Sequence, residues 1–538
     1  MKLTIAGKPV AIPVDTKISL QRSSPALNED TGSFSYPFPI PRVPNQHVVG
    51  WPGKLQRIGA IDDQSFILED NGLQVFGGEV DYDTVTKDQI GVILKSGYTV
   101  FRGKMEGKKL TDIDYGFESW VPEHYTNEEL AAKMAEWDTA NTVSNGKYVV
   151  SPCHVNGGYS TGTNVNFVNK TTGNLISDVM YCLQFRAYFL LEKIFESAGY
   201  TILVDELKTS EFEDLIVFSR IMRSVGFPDG HYSWCIPGLE PGFLHYARLM
   251  PNVLVLDFVD EITKLLCMVC DVDERMKTVR IIFKKNIFVP GNIDPLKMVE
   301  LAGWEHSEKQ NTKGFSIGYK SQTDSLDTES GYIPDTEAAT TPPIATKEGE
   351  VVHVVSTGYD YVTENNIDVL EWKQIGRLKD YISGTDPEKT EFAIKVPAGI
   401  IIGEGDGTRY ISSHLDISIP LMTDTNNGMN ELMIALYHGR KSGIPFLSGV
   451  QWEITEVWTL ELPVYLTPAY LLPLHTDFLN WKAYQARAFT KYIQLTLPEV
   501  LSLRWDKKYV IDGIEVILDK INFELPHKGT VKIEGFTV

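Results

Sequence analysis

Cys267-Met-Val-Cys270 is the motif in this sequence whose spacing comes closest to a zinc or redox site. A structural zinc site needs two further ligands at matched spacing, and the sequence holds no second C-x-x-C and no histidine pair. Both cysteines fall at the apolar end of a predicted helix, where cysteine packs as a small hydrophobic residue. We therefore predict that Cys267 and Cys270 belong to a core.

Two polar loops resemble ligand sites at first sight. Gly403-Glu-Gly-Asp-Gly407 is glycine-rich, but a phosphate loop must open a helix, and Thr408-Arg-Tyr-Ile411 continues as a strand. The segment 424–431 is acidic like a calcium loop, yet its glycine, Gly428, is the fifth residue and Met429 is the sixth, where a calcium hand needs glycine. We predict a hairpin loop at the first and no calcium site at the second.

Other catalytic signatures are also missing from the sequence. The 11 histidines show neither H-x-x-x-H nor H-E-x-x-H spacing, so no metalloprotease site is indicated. The 71 acidic residues produce many chance pairs, so a glycosidase pair, which is defined by separation in space, is not readable. The sequence thus predicts no catalytic, cofactor-binding or metal-binding residue and no cofactor, and it leaves the partner-binding residues unknown.

One stretch is rich in aromatic residues that could line a groove. We favour the interpretation that they fill the core of a β-rich domain, and a partner surface is the alternative. The residues are Trp452, Trp458, Tyr465, Tyr470, Trp481 and Tyr484.

Composition limits the class of protein. The 538 residues carry a formal net charge of −21, which argues against binding to the nucleic-acid backbone or to an anionic membrane. The first residues lack the apolar core of a secretion signal, no stretch is long enough to span a membrane, and five irregularly spaced cysteines do not form a disulfide framework. We expect synthesis in a cytoplasm, and the composition allows an enzyme, a binding module or a structural protein.

The elements predict an α+β fold that is predominantly β, with several small β-barrel or sheet domains and helix–strand insertions. We expect an N-terminal β domain at 1–115, a mixed α+β region at 116–250, a helix and hairpin region at 251–320, an acidic linker or long loop at 321–350 and a C-terminal β-rich domain at 351–538. Asn71-Gly72 and Gly77-Gly78 predict turns in the first of these, and Asp512-Gly513 predicts a hairpin in the last. A final strand is expected at 531–538.

The region 35–44, here called the strap, contains four prolines. Because proline lacks a backbone N–H, we predict an extended segment that lies on a surface or along a partner, neither a central strand nor a helix.

Two helix–strand units are predicted in the middle of the chain. Apolar residues repeat with helical spacing over 190–198, Gly199 suits a C-cap, and a strand follows at 200–204. A second helical face runs over 258–269 with Asp257 as its expected N-cap, and a strand follows at 278–283.

Taken in order, these segments resemble the tail-tip proteins of tailed bacteriophages and of prophages of gut bacteria, in particular baseplate hub and tail-associated proteins. The resemblance touches most of the chain. It is carried by 18–45, by 190–202, by 256–281 and by the C-terminal pieces 431–439, 495–498 and 508–513.

The resemblance implies a hub-like ring, a homo-oligomer with a trimer favoured, whose β domains can be assembled from distant segments. Its partners would be tail-tube or distal tail proteins and fibre or spike proteins, with no specific nucleic acid. Its place would be the virion tail tip, after synthesis in the bacterial host cytoplasm. It implies a structural role without enzyme activity. Two alternatives stay open: a glycan or peptidoglycan hydrolase that uses two carboxylates, and a carbohydrate-binding surface protein.

Overall fold

The computed structural model of the chain describes residues 1–27, 32–49, 64–119, 146–152, 181–218, 243–289 and 468–538, together with short strands elsewhere between 154 and 448. The helices are α1 (Arg42–Asn45), α2 (Tyr98–Met105), α3 (Ala187–Ser197), α4 (Val255–Leu265), α5 (Pro468–Asn480) and α6 (Leu497–Ser502). Three 3₁₀ helices (Leu110–Asp112, Tyr246–Leu249 and Lys284–Phe288) and one π-helix (Trp481–Gln485) join them.

The strands of the first half of the chain are, in order, β1 (Lys2–Ile5), β2 (Lys8–Pro9), β3 (Ile18–Ser23), β4 (Ser33–Ser35), β5 (Phe38–Pro41), β6 (Gln64–Asp70), β7 (Leu73–Val85), β8 (Gln89–Ser96), β9 (Phe117–Ser119), β10 (Tyr148–Pro152), β11 (His154–Val155), β12 (Ser160–Thr161), β13 (Asn164–Val165), β14 (Val168–Asn169), β15 (Tyr181–Arg186), β16 (Thr201–Asp205), β17 (Leu215–Phe218), β18 (Arg223–Gly226), β19 (Tyr232–Cys235), β20 (Leu239–Glu240) and β21 (Phe243–His245).

The remaining strands are β22 (Met268–Asp273), β23 (Thr278–Phe283), β24 (Ile293–Pro295), β25 (Glu305–His306), β26 (Ser316–Ile317), β27 (Ala339–Thr340), β28 (Trp372–Gln374), β29 (Ile394–Pro397), β30 (Asp416–Ile419), β31 (Leu421–Met422), β32 (Leu432–Lys441), β33 (Ile444–Ser448), β34 (Ala488–Gln494), β35 (Lys508–Ile511), β36 (Ile514–Leu525) and β37 (Thr530–Thr537). The fold is predominantly β with several sheets and helix–strand insertions, which confirms the predicted class.

The largest sheet joins strands from the two ends of the sequence. It has 14 strands, and its main path runs β2-β1-β6-β7-β8-β4-β3-β36-β37-β34-β25. The joint is the antiparallel pairing of β3 with β36, in register from Ile18 opposite Leu525 to Ser23 opposite Lys520. We call this structure the shared sheet.

One apolar cluster, here called the sheet core, is enclosed by the shared sheet. Alternation along the strands produces it: in β36, Ile521, Phe523 and Leu525 are buried, whereas Asn522 and Glu524 between them point to the other face. Strands β1, β3 and β5–β8 contribute from the N-terminal side, and strands β34–β37 and residues 495–505 from the C-terminal side.

Two of the predicted turns are confirmed and one is wrong. Asn71-Gly72 and Asp512-Gly513 both have positive φ at both residues and connect antiparallel neighbours. Gly77-Gly78 instead lies inside β7, and a Cβ at Gly78 would sit 2.0 Å from the Lys95 carbonyl oxygen of β8. The glycine there permits a close approach of two strands.

The strap is extended, as predicted, and it lies on its own chain. Among the described strands, β5 pairs with β8 alone, so its prolines are accommodated at the side of the sheet. The helical turn α1 follows and includes Pro44, contrary to the expectation of no helix. The buried Asn45 side chain holds this turn, since its amide donates to the Ala11 and Pro41 carbonyls and its oxygen accepts from the Ala11 N–H.

A second apolar cluster, the helical core, is built around α2, α3, α4 and α5 and the β22–β23 hairpin. Helix α2 lies within the region 1–115, for which the sequence predicted strands and no helix. Its Tyr98, Phe101 and Met105 are buried in this cluster, so tertiary packing sets its conformation.

Both helix–strand units are present. In the first, α3 ends before Gly199, whose φ is +86°, and β16 follows, as predicted. In the second, α4 begins earlier than expected: Leu254 is the N-cap, and Asp257 lies inside the first turn. The helix also ends at Leu265, because Met268 begins strand β22, which pairs with β23.

Candidate functional site

A cavity of about 320 Å³ lies between the shared sheet and the β22–β23 hairpin. Its walls come from β3, from the turn between β8 and α2, from the hairpin and from residues 501–505. The cavity thus lies where the sheet core meets the helical core, and its walls carry charged side chains. We call the seam the group formed by Arg22, Asp271, Arg280 and Arg504 together with Asp506, which binds two of these arginines.

Arg22 enters the seam from β3. Arg22 lies on the same side of β3 as the buried Ile18 and Leu20, so its guanidinium occupies a position of the strand that faces the core. Nη1 donates to the Val500 carbonyl at 2.5 Å and Nη2 to the Leu503 carbonyl at 3.2 Å, and the guanidinium stands 5.5 Å from the Trp505 ring centroid. Burial lowers the pKa of Arg22, and the negative charges of Asp271 and Asp273 oppose that shift in part.

Asp506 ties the seam together. Its carboxylate accepts a hydrogen bond from Arg280 Nη2 at 2.7 Å, another from Arg504 Nε at 2.9 Å and a third from Arg504 Nη2. Burial opposes ionisation, but the hydrogen bonds from both arginines outweigh it and lower the pKa of Asp506 to about 2. Because Arg280 belongs to β23, this ion pair joins the hairpin to the C-terminal part of the chain.

Asp271 faces the same cavity from β22, opposite Arg280 in the strand register. Burial raises the pKa of Asp271 to about 6, although the positive charges of Arg22 and Arg280 oppose that shift. The seam therefore combines a carboxyl in the cavity wall whose pKa is raised, Asp271, with a carboxyl bound to two arginines of that wall whose pKa is lowered, Asp506.

Two carboxyls with separated pKa values can divide the roles of acid and base in catalysis. Here Asp506 already accepts hydrogen bonds on both oxygens from two guanidinium groups. Such a carboxylate is stabilised as an ion-pair partner and has little nucleophilic character left. The arrangement is best suited to joining the two cores.

The seam was not predicted, because its members are far apart in the sequence. One signal was available: Arg22 interrupts the apolar side of an alternating strand, Ile18-Ser-Leu-Gln-Arg22. A charged residue at such a position needs a buried partner.

Cys267 and Cys270 are both buried, and within the described residues neither forms a disulfide, which fits the core interpretation. Cys267 directly follows Leu266, the C-cap of α4, with a φ of +50°, so it lies at the helix end as expected. Cys270 lies instead in β22. Burial raises the pKa of the Cys270 thiol, which keeps it protonated and unreactive.

Within the described residues, no group of three metal-ligating side chains comes together. His475, on α5, is buried with Nε2 3.0 Å from the Leu265 carbonyl oxygen, and burial lowers its pKa to about 4. No helix in this part of the chain is long and apolar enough to cross a membrane.

The aromatic stretch is described only in part. Trp481 is buried in the helical core, and its Nε1 donates to the Thr537 carbonyl at 2.7 Å, which places it in a core as favoured, but in a helix and not in a strand. Tyr470 and Tyr484 are described by their backbone alone. The residues that lie outside the described part are Trp452, Trp458 and Tyr465, together with the loops 403–407 and 424–431.

No protein-family model matches the chain, and no curated protein matches it. Among solved structures, the chain aligns with the 43 kDa tail protein of prophage MuSo2 from Shewanella oneidensis. The alignment has 9% sequence identity and a TM-score of 0.35, and it covers 100% of this chain and 97% of that chain. At this TM-score the alignment does not establish a shared fold.

Proposed function

We propose that the chain is a structural component of a phage tail tip or baseplate hub, which caps the tail tube and seats fibre or spike proteins. The observation that carries the proposal is the pairing of β3 with β36. It fits a hub domain assembled from distant segments, which is what the resemblance of the sequence implies.

The seam supports a mechanical role. Arg22, Arg280 and Asp506 connect β3, the β22–β23 hairpin and the C-terminal part of the chain through short, charge-assisted hydrogen bonds. Such bonds are stronger and more directional than neutral ones, so they suit a body that must keep its shape while it holds the end of a tube.

The overall charge also suits a tail-tip protein. With a net charge of −21, the chain would not retain DNA that passes beside it. We further propose that the protein is a homo-oligomer, most simply a trimer, which contacts tail-tube or distal tail proteins on one side and fibre or spike proteins on the other.

Electron microscopy of particles from the source bacterium, with gold-labelled antibody against this chain, tests the location. We expect gold at the distal end of tails, and we expect a strain without the gene to make no complete tails until the gene is restored. Complete tails in the deletion strain would contradict the proposal. Mass photometry tests the assembly, for which we expect three times the 60.4 kDa chain mass.

A carboxylate-dependent glycan or peptidoglycan hydrolase is the second candidate, and the raised pKa of Asp271 beside the ionised Asp506 is the observation that favours it. Incubation with purified cell walls tests it. A hydrolase would release soluble fragments with the native protein and with the control Asp88→Asn, whose side chain is exposed, but not with Asp271→Asn. No release by the native protein would remove this candidate.

A further inference from the structure

A groove of about 770 Å³ crosses the outer face of the shared sheet, opposite the sheet core. Strands β3, β36, β37 and β34 form its floor, and residues 14–17 and 526–530 rise beside it. Its volume lies within the range of about 300–1,000 Å³ that is usual for small-ligand sites.

A row of polar side chains crosses the strands at the middle of this groove. The register places Gln21 beside Asn522, Asn522 beside Lys532 and Lys532 beside Tyr492. At the other end of the row, the Tyr36 hydroxyl donates to Gln21 Oε1 at 3.1 Å. The row therefore begins and ends with a tyrosine.

Both tyrosines are exposed. Tyr36 keeps 46% of its surface accessible and Tyr492 keeps 38%, although each stands on a sheet whose other face is a core. An exposed tyrosine offers a rigid apolar ring face and a polar hydroxyl at a small cost in conformational entropy, which is typical of binding surfaces.

The charges of the groove balance. Three carboxylates (Asp15, Glu524, Glu534) face three lysines (Lys17, Lys528, Lys532). Lys17 pairs with Glu524 at 3.3 Å and Lys532 with Glu534 at 2.5 Å. On a chain with a net charge of −21, this local balance disfavours a strongly charged ligand and favours a neutral one.

Asn522 provides the strongest sign that a ligand is expected. Its side-chain Oδ1 is buried and, in the part of the chain that the structure describes, has no hydrogen-bond partner. An unsatisfied buried acceptor is costly, so a rotation of the Asn522 side chain that lets this oxygen accept from a hydroxyl or N–H of a bound molecule would be stabilising.

We propose that this groove binds a neutral oligosaccharide. Sugar rings present apolar C–H faces that can pack on Tyr36 and Tyr492, and their hydroxyl groups can donate to Asn522 Oδ1 and to the carboxylates of the ion pairs. This inference goes beyond the proposed tail function and does not depend on it.

The test uses the isolated full-length protein on an array of neutral and acidic oligosaccharides, followed by calorimetric titration with the neutral glycan that binds best. We expect binding of neutral glycans with little dependence on salt. Tyr36→Ala and Tyr492→Ala should each weaken binding by about tenfold, and Asn522→Ala by about fivefold.

Two variants serve as controls. Tyr36→Phe keeps the ring and should retain most of the affinity, and Leu203→Ala truncates a side chain that is 64% exposed but lies outside the groove, so it should leave affinity unchanged. Melting temperatures of all variants are measured in parallel to exclude unfolding.

Failure to bind any neutral glycan would overturn the proposal, as would binding that is restricted to acidic glycans. Binding that survives the double substitution of both tyrosines would overturn it too. None of these results would change the expected gold label on tails, so this proposal and the proposed tail function fail separately.

Discussion

The sheet core and the helical core differ in their side chains and in how far apart along the chain their parts lie. The sheet core is mostly aliphatic, and its strands β3 and β36 are separated by nearly the whole sequence. The helical core is rich in aromatic rings, such as Phe101 and Phe195, whose centroids are 4.5 Å apart.

The difference indicates two ways of building one molecule. Helix–strand units such as α3 with β16 form through local contacts, whereas the shared sheet requires the closure of a very long loop. The seam then joins the helical core, whose helix–strand units form through local contacts, to the shared sheet, whose strands come from both ends of the chain. Four substitution experiments test this comparison.

The largest effect is expected in the helical core. Phe101→Ala removes a fully buried ring that packs against Phe195 and Tyr98, and we expect a loss of about 3–5 kcal/mol in the free energy of unfolding. Chemical denaturation measures this loss, and hydrogen exchange should show the loss of protection first in α2 and α3.

The control is Phe117→Ala, at a ring that is 51% exposed, which should lower the free energy of unfolding by less than about 1 kcal/mol. Equal loss of protection in β36 would mean that the two cores form a single cooperative unit.

The seam should give the next largest effect. Asp506→Ala leaves Arg280 and Arg504 without their shared carboxylate, and we expect a loss of about 2 kcal/mol, because partial exposure of the arginines reduces the cost of a fully buried pair. We also expect the single unfolding transition to separate into two in calorimetry. Lys2→Ala breaks the exposed pair with Glu69 and should change the free energy of unfolding by no more than about 0.5 kcal/mol. A similar result for both variants would show that the seam does not couple the cores.

A matched pair of glycine substitutions compares the backbone of the β35–β36 hairpin turn with that of helix α2. Gly513 has a φ of +80° in the β35–β36 turn with free space around it, so Gly513→Ala should cost about 1–2 kcal/mol through backbone strain alone. Gly103 lies on the exposed side of α2, so Gly103→Ala should stabilise the protein by up to about 1 kcal/mol. Thermal denaturation of both variants measures the two effects, and the same sign for both would contradict the two assignments.

The smallest effect is the pH dependence of the seam. Asp271 has its pKa raised to about 6, so it binds a proton more readily in the folded state, and its contribution to stability falls as pH rises from about 4 to 6. Asp506, with a pKa lowered to about 2, contributes stability above pH 4 that is lost as pH falls from about 4 to 2. The contribution of the seam should therefore be greatest near pH 4.

The free energy of unfolding of Asp271→Asn and of Asp506→Asn, measured against that of the native protein between pH 2 and 8, tests these signs. As pH rises above 4, we expect the free energy of unfolding of Asp271→Asn to increase relative to that of the native protein. As pH falls below 4, we expect the deficit of Asp506→Asn relative to the native protein to become smaller. A pH-independent difference for both would show that the seam carboxyls titrate as they do in the unfolded chain.

The sequence predicts the local elements well and the long-range ones poorly. Asp512-Gly513, Asn71-Gly72 and the helix that ends before Gly199 are decided within a few residues, so their patterns are readable. The pairing of β3 with β36 is decided by which strands meet in space, and no short pattern encodes it.

The errors have the same cause. Gly77-Gly78 has the composition of a turn, but it serves the close approach of β7 to β8. Helix α2 forms in a region that otherwise alternates like strands, because Tyr98, Phe101 and Met105 bury one face in the helical core. The groove was also not predicted, since Tyr36 and Tyr492 come together only across the shared sheet.

The pairing of β3 with β36 also has a consequence for synthesis on the ribosome. The N-terminal strand β3 emerges early, but its partner is translated about 490 residues later, which at about 5–20 residues per second is a delay of roughly 25–100 seconds. During that time one side of β3 has unpaired N–H and C=O groups, and such a strand edge can pair with other chains. The nascent chain thus needs protection from such pairing until its last strands are made, and chaperones would supply it.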